Sequence, residues 1–335
     1  PAIDRAATVP HRVVSSAKSW LCVEGIDRRE AVLPWDRKSE GSRISPVRAA
    51  QYLLEHIREA WNRVHAADTP ADRLENQDVF LTVPASFDAV ARELTVEAAE
   101  RAGLHVTLLE EPQAAFYSWL HNRQEDWREH VTAGDTLLVC DIGGGTTDFS
   151  LIAVADREGT VELERIAVGE HILLGGDNMD LTLAYAMAGK LKEEKNVSLD
   201  AYQLAGLTHA CRRAKEVLGR DPAAGPQPLT VLGRGSSVIG GAIGTEITGD
   251  EMSGLLVDGF FPYCDITETP SERRKAGLRT LGLEYASDPA VTRHLAAFLA
   301  RHSFRDADGR PLLPSAVLFN GGVTKSPVLR NRVAD

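Results

Sequence analysis

Residues 136–150 read TLLVCDIGGGTTDFS, and this stretch decides the fold. Gly134 and Asp135 form a turn, and Thr136 to Cys140 is a short apolar run of the kind that makes a buried strand. The run ends in a carboxylate, Asp141, followed by three glycines, two hydroxyls and a second carboxylate, Asp148. Three glycines let the backbone turn tightly and leave no side chain in a ligand's way. Successive amides in such a turn can point together at phosphate oxygens. Asp141 and Asp148 are the residue type that holds a hydrated Mg²⁺ beside those phosphates. A plain glycine turn between two strands is the simpler alternative, and the flanking Asp, Thr and Asp argue against it. No GK[ST] follows, so this is not a Walker A loop, and a strand rather than a helix follows, so it is not a dinucleotide fingerprint.

Working outward, Phe149–Val154 and Val161–Val168 read as strands that complete an antiparallel meander with 136–140. Upstream, Ser45 and Pro46 give a hydroxyl N-cap and a proline at the first helical position, opening an amphipathic helix over 46–64. Residues 1–44 are mixed, with turn residues at Gly25, Pro34 and Gly41. The spacing predicts a strand at 79–83 closed by Pro84, a helix over 88–102 stopped by Gly103, a strand at 106–109 and a helix over 113–121. That alternation argues α/β architecture. Downstream, helices are expected at 177–194 and 199–218, strands around 229–247, helix at 250–261, mostly helix across 271–302, and a last strand at 317–319. Two further glycine turns stand out, LLGGDNMD (173–180) and NGGVTKSP (320–327). Helix N-terminal chemistry and a strand-to-helix turn are their plainer readings, and the residues alone leave both open.

The chain has 335 residues, enough for two lobes, and a formal net charge of -11 that repels a nucleic-acid backbone. No apolar run reaches membrane-spanning length. The four cysteines, Cys22, Cys140, Cys211 and Cys264, form no CxxC pair, which reads as a reduced, cytoplasmic chain without structural zinc. The sequence opens at Pro1 without an initiating Met, so an upstream segment is expected.

Six ordered motifs resemble the actin-like ATPases, and within them the DnaK-type seventy-kilodalton heat-shock chaperones. They are LTVPASFDAVARELTVEAAERAGL (81–104), LLEEPQAAFYSWL (108–120), DIGGGTTDFS (141–150), LLGGDNMD (173–180), ACRRAKEVLG (210–219) and LFNGGVTKSP (318–327). The resemblance runs from about residue 10 to the end. It implies an α/β, two-lobed fold of ribonuclease-H-like type with inserted subdomains. Residues 1–132 would be a partial first lobe, with 1–73 a smaller subdomain and 74–132 core. Residues 133–335 would be the second lobe, with 133–174 and 314–335 core and 175–313 inserted. The implied ligands are ATP or ADP with Mg²⁺. Lys18, Glu111, Asp141 and Thr146 take the catalytic positions. Gly143, Gly144, Gly145, Thr146, Gly175, Gly176, Lys215, Gly321, Gly322 and Lys325 take the nucleotide-binding ones, and Asp141 and Asp148 would hold the metal through water. Pro84 and Arg92 align with residues of interlobe switching.

The resemblance further implies hydrolysis that switches the lobes and controls a client-binding region outside this chain, with a co-chaperone and a nucleotide exchange factor as partners and no nucleic acid or membrane. A non-hydrolysing nucleotide-regulated scaffold and a small-molecule kinase are the alternatives on the same fold. The chain departs from the family pattern in several places. The first phosphate hairpin, expected before Lys18, is missing, so the first lobe is incomplete and the isolated chain is expected to be weak or inactive. Arg212, Glu216, Gly219 and Lys325 replace usual residues of the adenosine site, and 262–303 points to a divergent bacterial member.

Overall fold

The computed structural model describes residues 14, 16–23, 25–34, 43–123, 129–157, 160–221, 223–232, 242–271, 279–280, 283–284, 286–303, 305, 309 and 312–335. The turn expected at Gly41, the stretch 233–241 and part of the predicted 271–302 helix lie outside the described residues.

The N-terminal unit is built from α1 (Ala17–Trp20), α2 (Pro46–His65), β1 (Val79–Val83), α3 (Ala89–Arg101), β2 (Val106–Glu110) and α4 (Glu111–Arg123). Ser45 caps α2 by accepting from the Arg48 amide, and Asp88 caps α3 by accepting from the Ala91 amide. Such caps satisfy helix amides that have no intrahelical partner. β1 and β2 pair in parallel, with Val83 opposite Glu110. α4 begins at Glu111, two residues earlier than the sequence pattern suggested, so Glu111 sits in its first turn. A carboxylate is favoured there by the helix dipole.

The larger unit is organised by a four-stranded sheet in the order β10-β3-β4-β5, with β3 (Thr136–Ile142), β4 (Thr147–Arg157), β5 (Thr160–Val168) and β10 (Ala316–Asn320). β3, β4 and β5 form the expected antiparallel meander, and β10 runs parallel to β3. Strand alternation sends successive side chains to opposite faces. Leu138, Cys140 and Ile142 pack into the main core with α5 (Gly176–Lys195), α6 (Ala201–Arg220), α7 (Gly249–Phe260) and α8 (Val291–His302). Leu137 and Val139 face the other way, onto Phe116 of α4. Both faces are therefore covered, which is why β3 reads as a continuous apolar run. Asp141 belongs to the Leu137–Val139 face and stands directly opposite Asp148 on β4. The two carboxylates thus share the face that looks toward α4.

Two short antiparallel pairs complete the fold: β6 (Gln227–Leu232) with β7 (Ala242–Ile247), and β8 (Arg279–Thr280) with β9 (Leu283–Glu284). The second pair interrupts the stretch 271–302 expected to be mostly helix: among its described residues Val291–His302 is helical and those before Val291 are not. The carboxylate of Asp288 accepts from the amides of Ser271 and Ala290 and from Arg293, fixing an irregular segment where local spacing suggested a helix. The chain closes with α9 (Pro327–Ala334).

Candidate functional site

The three glycine turns meet. Gly176 and Asp177 donate their amides to the carbonyls of Gly143 and Gly144, at 3.0 and 2.7 Å. Thr147 bridges Ile172 and donates its hydroxyl to the Leu174 carbonyl at 2.8 Å, which pins the approach to α5 against the β3–β4 turn. A Cβ on Gly175 would lie 2.7 Å from the carbonyl oxygens of both Gly143 and Gly144. Gly321 has φ +85°, and a Cβ there would lie 2.3 Å from the Ile142 carbonyl oxygen. Glycine at 175 and 321 is therefore required by backbone packed on backbone. At Gly322 a Cβ would meet nothing within 4 Å, so that residue borders open space.

The β3–β4 turn is closed by the Gly143 amide, which donates to the Thr146 carbonyl at 2.8 Å. Gly143 is thus not among the amides free to meet a ligand. Among the described residues the amides of Gly144, Gly145 and Thr146 have no partner, and Gly144 is exposed. A Cβ on Gly145 would come within 4.0 Å of the hydroxyls of Ser16 and Ser19, so the turn faces α1. Ala17, Trp20 and Leu21 anchor α1 by burial, and Lys18 is left half-exposed. Its ammonium donates to Glu111 at 2.6 Å. Burial pushes the Glu111 carboxyl above its ordinary range, and Lys18 partly offsets this. Burial also raises Asp141, which accepts from the Asn320 side chain at 2.8 Å and is raised further by neighbouring Asp148. Lys18, Glu111, Asp141 and Asp148 therefore lie within electrostatic reach of one another on one side of the turn.

The other side of the turn is basic and acidic in balance. Arg212 donates to Asp180 at 2.6 Å and to Asp177 at 2.5 Å, and Lys215 donates to the Gly176 carbonyl at 2.9 Å. Lys215 also lies 2.6 Å from the other Asp180 oxygen, an ion-pair distance outside hydrogen-bond angles, so that contact is Coulombic. Beyond it a cavity of about 180 Å³ opens between α6, α7 and the 321–326 turn. Lys215, Glu216, Gly219, Gly322 and Lys325 are on its wall. Ser326 donates to the Gly219 carbonyl at 2.9 Å, and a Cβ on Gly219 would press within 3.0 Å of that hydroxyl.

Residues 28–230 match the family model of the Hsp70 protein. The chain belongs to the Hsp70 family. It therefore has the actin-like ATPase fold, and it carries a chaperone-type nucleotide-binding module of a family that binds nucleotide and works on client polypeptides. Among the described residues, no helix is long and apolar enough to cross a membrane.

Sequence reasoning located the glycine turns and Lys18 but missed the residues that tie the site together. Asn320 is one. Glu110 is another: it accepts from Arg92 at 2.9 Å and from Arg165 of β5, so it bridges the two units. Arg92 also donates to the carbonyls of Ala85 and Phe87, which fixes the turn after Pro84. Ser86 and His171 complete the set. Ser86 donates to Asp148 at 2.7 Å, and His171 Nδ1 lies 2.9 Å from the same oxygen.

Proposed function

We propose that this chain binds ATP and ADP with Mg²⁺ in the cleft beside the β3–β4 turn, and that in the full-length protein ATP hydrolysis switches the lobes and governs a client-binding region elsewhere. The observation that carries the reading is the convergence of three glycine turns on one point, with turn amides that have no partner among the described residues on one side and a cavity of about 180 Å³ on the other. The amides of Gly144, Gly145 and Thr146 would receive phosphate oxygens, as turn amides do. Gly322 and Gly219 would border the nucleoside, and Lys215 would reach the ribose from its place on Asp180.

Phosphoryl transfer to water asks for positioning and charge neutralisation rather than covalent catalysis. Lys18 would neutralise charge growing on the transferred group. Glu111 would orient the attacking water and accept its proton, a task suited to a carboxyl raised by burial. The paired carboxylates Asp141 and Asp148 suit a hydrated Mg²⁺, because that ion keeps several waters and needs few protein oxygens. When bound, the ion would neutralise the phosphate oxygens.

Calorimetric titration of ATP and ADP, with Mg²⁺ and with chelator, tests this. Saturable binding that Mg²⁺ strengthens, and that Gly144→Val weakens by about tenfold or more, supports the reading. Absence of binding for every nucleoside triphosphate at millimolar concentration overturns it.

A further inference from the structure

One polar contact between the two units brings two side chains without a role assigned above, Ser86 and His171, to the carboxylate of Asp148. Ser86 is in the turn after β1, Asp148 is the second residue of β4, and His171 lies between β5 and α5. Ser86 Oγ is 2.7 Å from Asp148 Oδ1, His171 Nδ1 is 2.9 Å from the same Oδ1, and Ser86 Oγ and His171 Nδ1 are 3.2 Å apart. The side chains of His171 and Asp148 are 11% and 12% exposed, so the knot is nearly dry. Polar contacts of this kind are stiff when shielded from water, and loss of one partner leaves a buried group unsatisfied.

The geometry excludes a nucleophilic triad. The serine hydroxyl spends its proton on the carboxylate, and it meets the imidazole nitrogen that also faces that carboxylate. In a hydrolytic triad the base would use its far nitrogen. Here His171 Nε2 is buried with no partner among the described residues, and the ring packs edge-on to Phe87 at 6.1 Å. Everything converges on Asp148 Oδ1, and Oδ2 is left without a protein hydrogen bond among the described residues.

We propose that Ser86 and His171 are positioning residues that clamp Asp148 Oδ1 between the two units, aiming Oδ2 at the metal side of the nucleotide. This rests on the nucleotide reading of the site. Ser86 is itself pre-set: Arg92 brackets its turn through the carbonyls of Ala85 and Phe87, and the same guanidinium holds Glu110, next to Glu111. The orientation of Asp148 is thereby conditional on the N-terminal unit being docked on the sheet, which makes Mg²⁺-assisted binding sensitive to that docking.

The test compares Ser86→Ala and His171→Leu with the conservative Ser86→Thr and His171→Asn. Threonine keeps the hydroxyl, and an Asn amide can donate from near the Nδ1 position. ATP affinity is measured by calorimetry with Mg²⁺ and with chelator. The clamp predicts that Ser86→Ala and His171→Leu lose about tenfold of the Mg²⁺-dependent gain, that chelator affinities stay within about twofold, and that the conservative pair stays near wild type. Equal losses with and without Mg²⁺, or no loss, overturn it. Hydrogen exchange at residues 169–172, read without nucleotide, separates the two readings. If wild type binds no nucleotide, the functional reading fails, and the clamp then stands or falls on whether Ser86→Ala speeds exchange there by about fivefold or more.

Discussion

At the scale of single residues, Asp141 carries the sharpest conflict in the molecule. Burial raises its carboxyl, the Asn320 hydrogen bond lowers it, Asp148 raises it and Lys18 lowers it, with a net rise above the ordinary 3.8. A carboxyl raised by folding binds its proton more tightly in the native state. Its ionised form therefore costs stability at neutral pH, and the cost is relieved as pH falls through the raised value toward 3.8. Glu111 and Asp177 lean the same way, both through burial first. Asp141→Asn should stabilise the ligand-free chain at pH 7 by about 1 kcal/mol, or a few degrees in Tm. That advantage should shrink as pH drops toward the ordinary carboxylate range. Asp88, Asp135 and Asp288 are lowered by hydrogen bonds and lose stability in acid, but they do so equally in variant and wild type and cancel in the difference. Thermal melts of both proteins from pH 4.5 to 8 decide the matter. A difference that does not change with pH would sink the burial argument. The same variant should weaken Mg²⁺-dependent ATP binding by about tenfold or more.

At the scale of elements, the glycine turns separate into those the fold needs and those a ligand would need. Gly321→Ala forces a side chain onto φ +85° and into the Ile142 carbonyl, and should cost about 2–4 kcal/mol in denaturant melts. Gly322→Ala meets no neighbour and should change stability by less than about 1 kcal/mol while narrowing the cavity mouth and weakening nucleotide binding. Equal effects of the two on stability would contradict this division. The same elements show what was legible in the sequence. Helices opened by Ser45 and Asp88 and the meander around the glycine turn were readable because caps, punctuation and apolar runs are local signals. Within 271–302 the helix from Val291 was legible, but the described residues before it were not, because Asp288 gathers Ser271, Ala290 and Arg293 into an irregular arrangement that no local period encodes. In the site, the glycines and Lys18 announced themselves by motif. Asn320 with Asp141 and Ser86 with Asp148 did not, because those partners are 179 and 62 residues apart and only the fold brings them together.

At the scale of the whole molecule, the two units are joined by an apolar patch, where Phe116 of α4 packs on the sheet, and by polar contacts beside it. The sheet packs its clusters around Phe149, Met179 and Leu183 on one face and Phe116 on the other. The N-terminal unit has further clusters around Trp20, which Leu173 of the larger unit also meets, around Leu94 and around Phe87. Between the units stand the Ser86–Asp148–His171 knot and the Glu110 carboxylate held by Arg92 and Arg165. The polar contacts cost little to open, whereas the Phe116 patch holds α4 on the sheet, so relative motion falls to the parts of the N-terminal unit outside α4. Arg165 is 46% exposed, so removing it should cost less than about 1 kcal/mol of unfolding stability. Reversing it is a different experiment. Arg165→Glu sets a carboxylate against Glu110, whose remaining cation is Arg92. The units should then dock less tightly, with a larger radius of gyration in solution scattering and faster hydrogen exchange around residues 84–88. The cores themselves should melt nearly as before. Adding Glu110→Gln removes the repulsion while leaving an amide oxygen for Arg92, and should restore compactness. A radius unchanged by Arg165→Glu would show that the join is held by packing rather than by charge, and a radius that Glu110→Gln fails to recover would place the effect outside this pair.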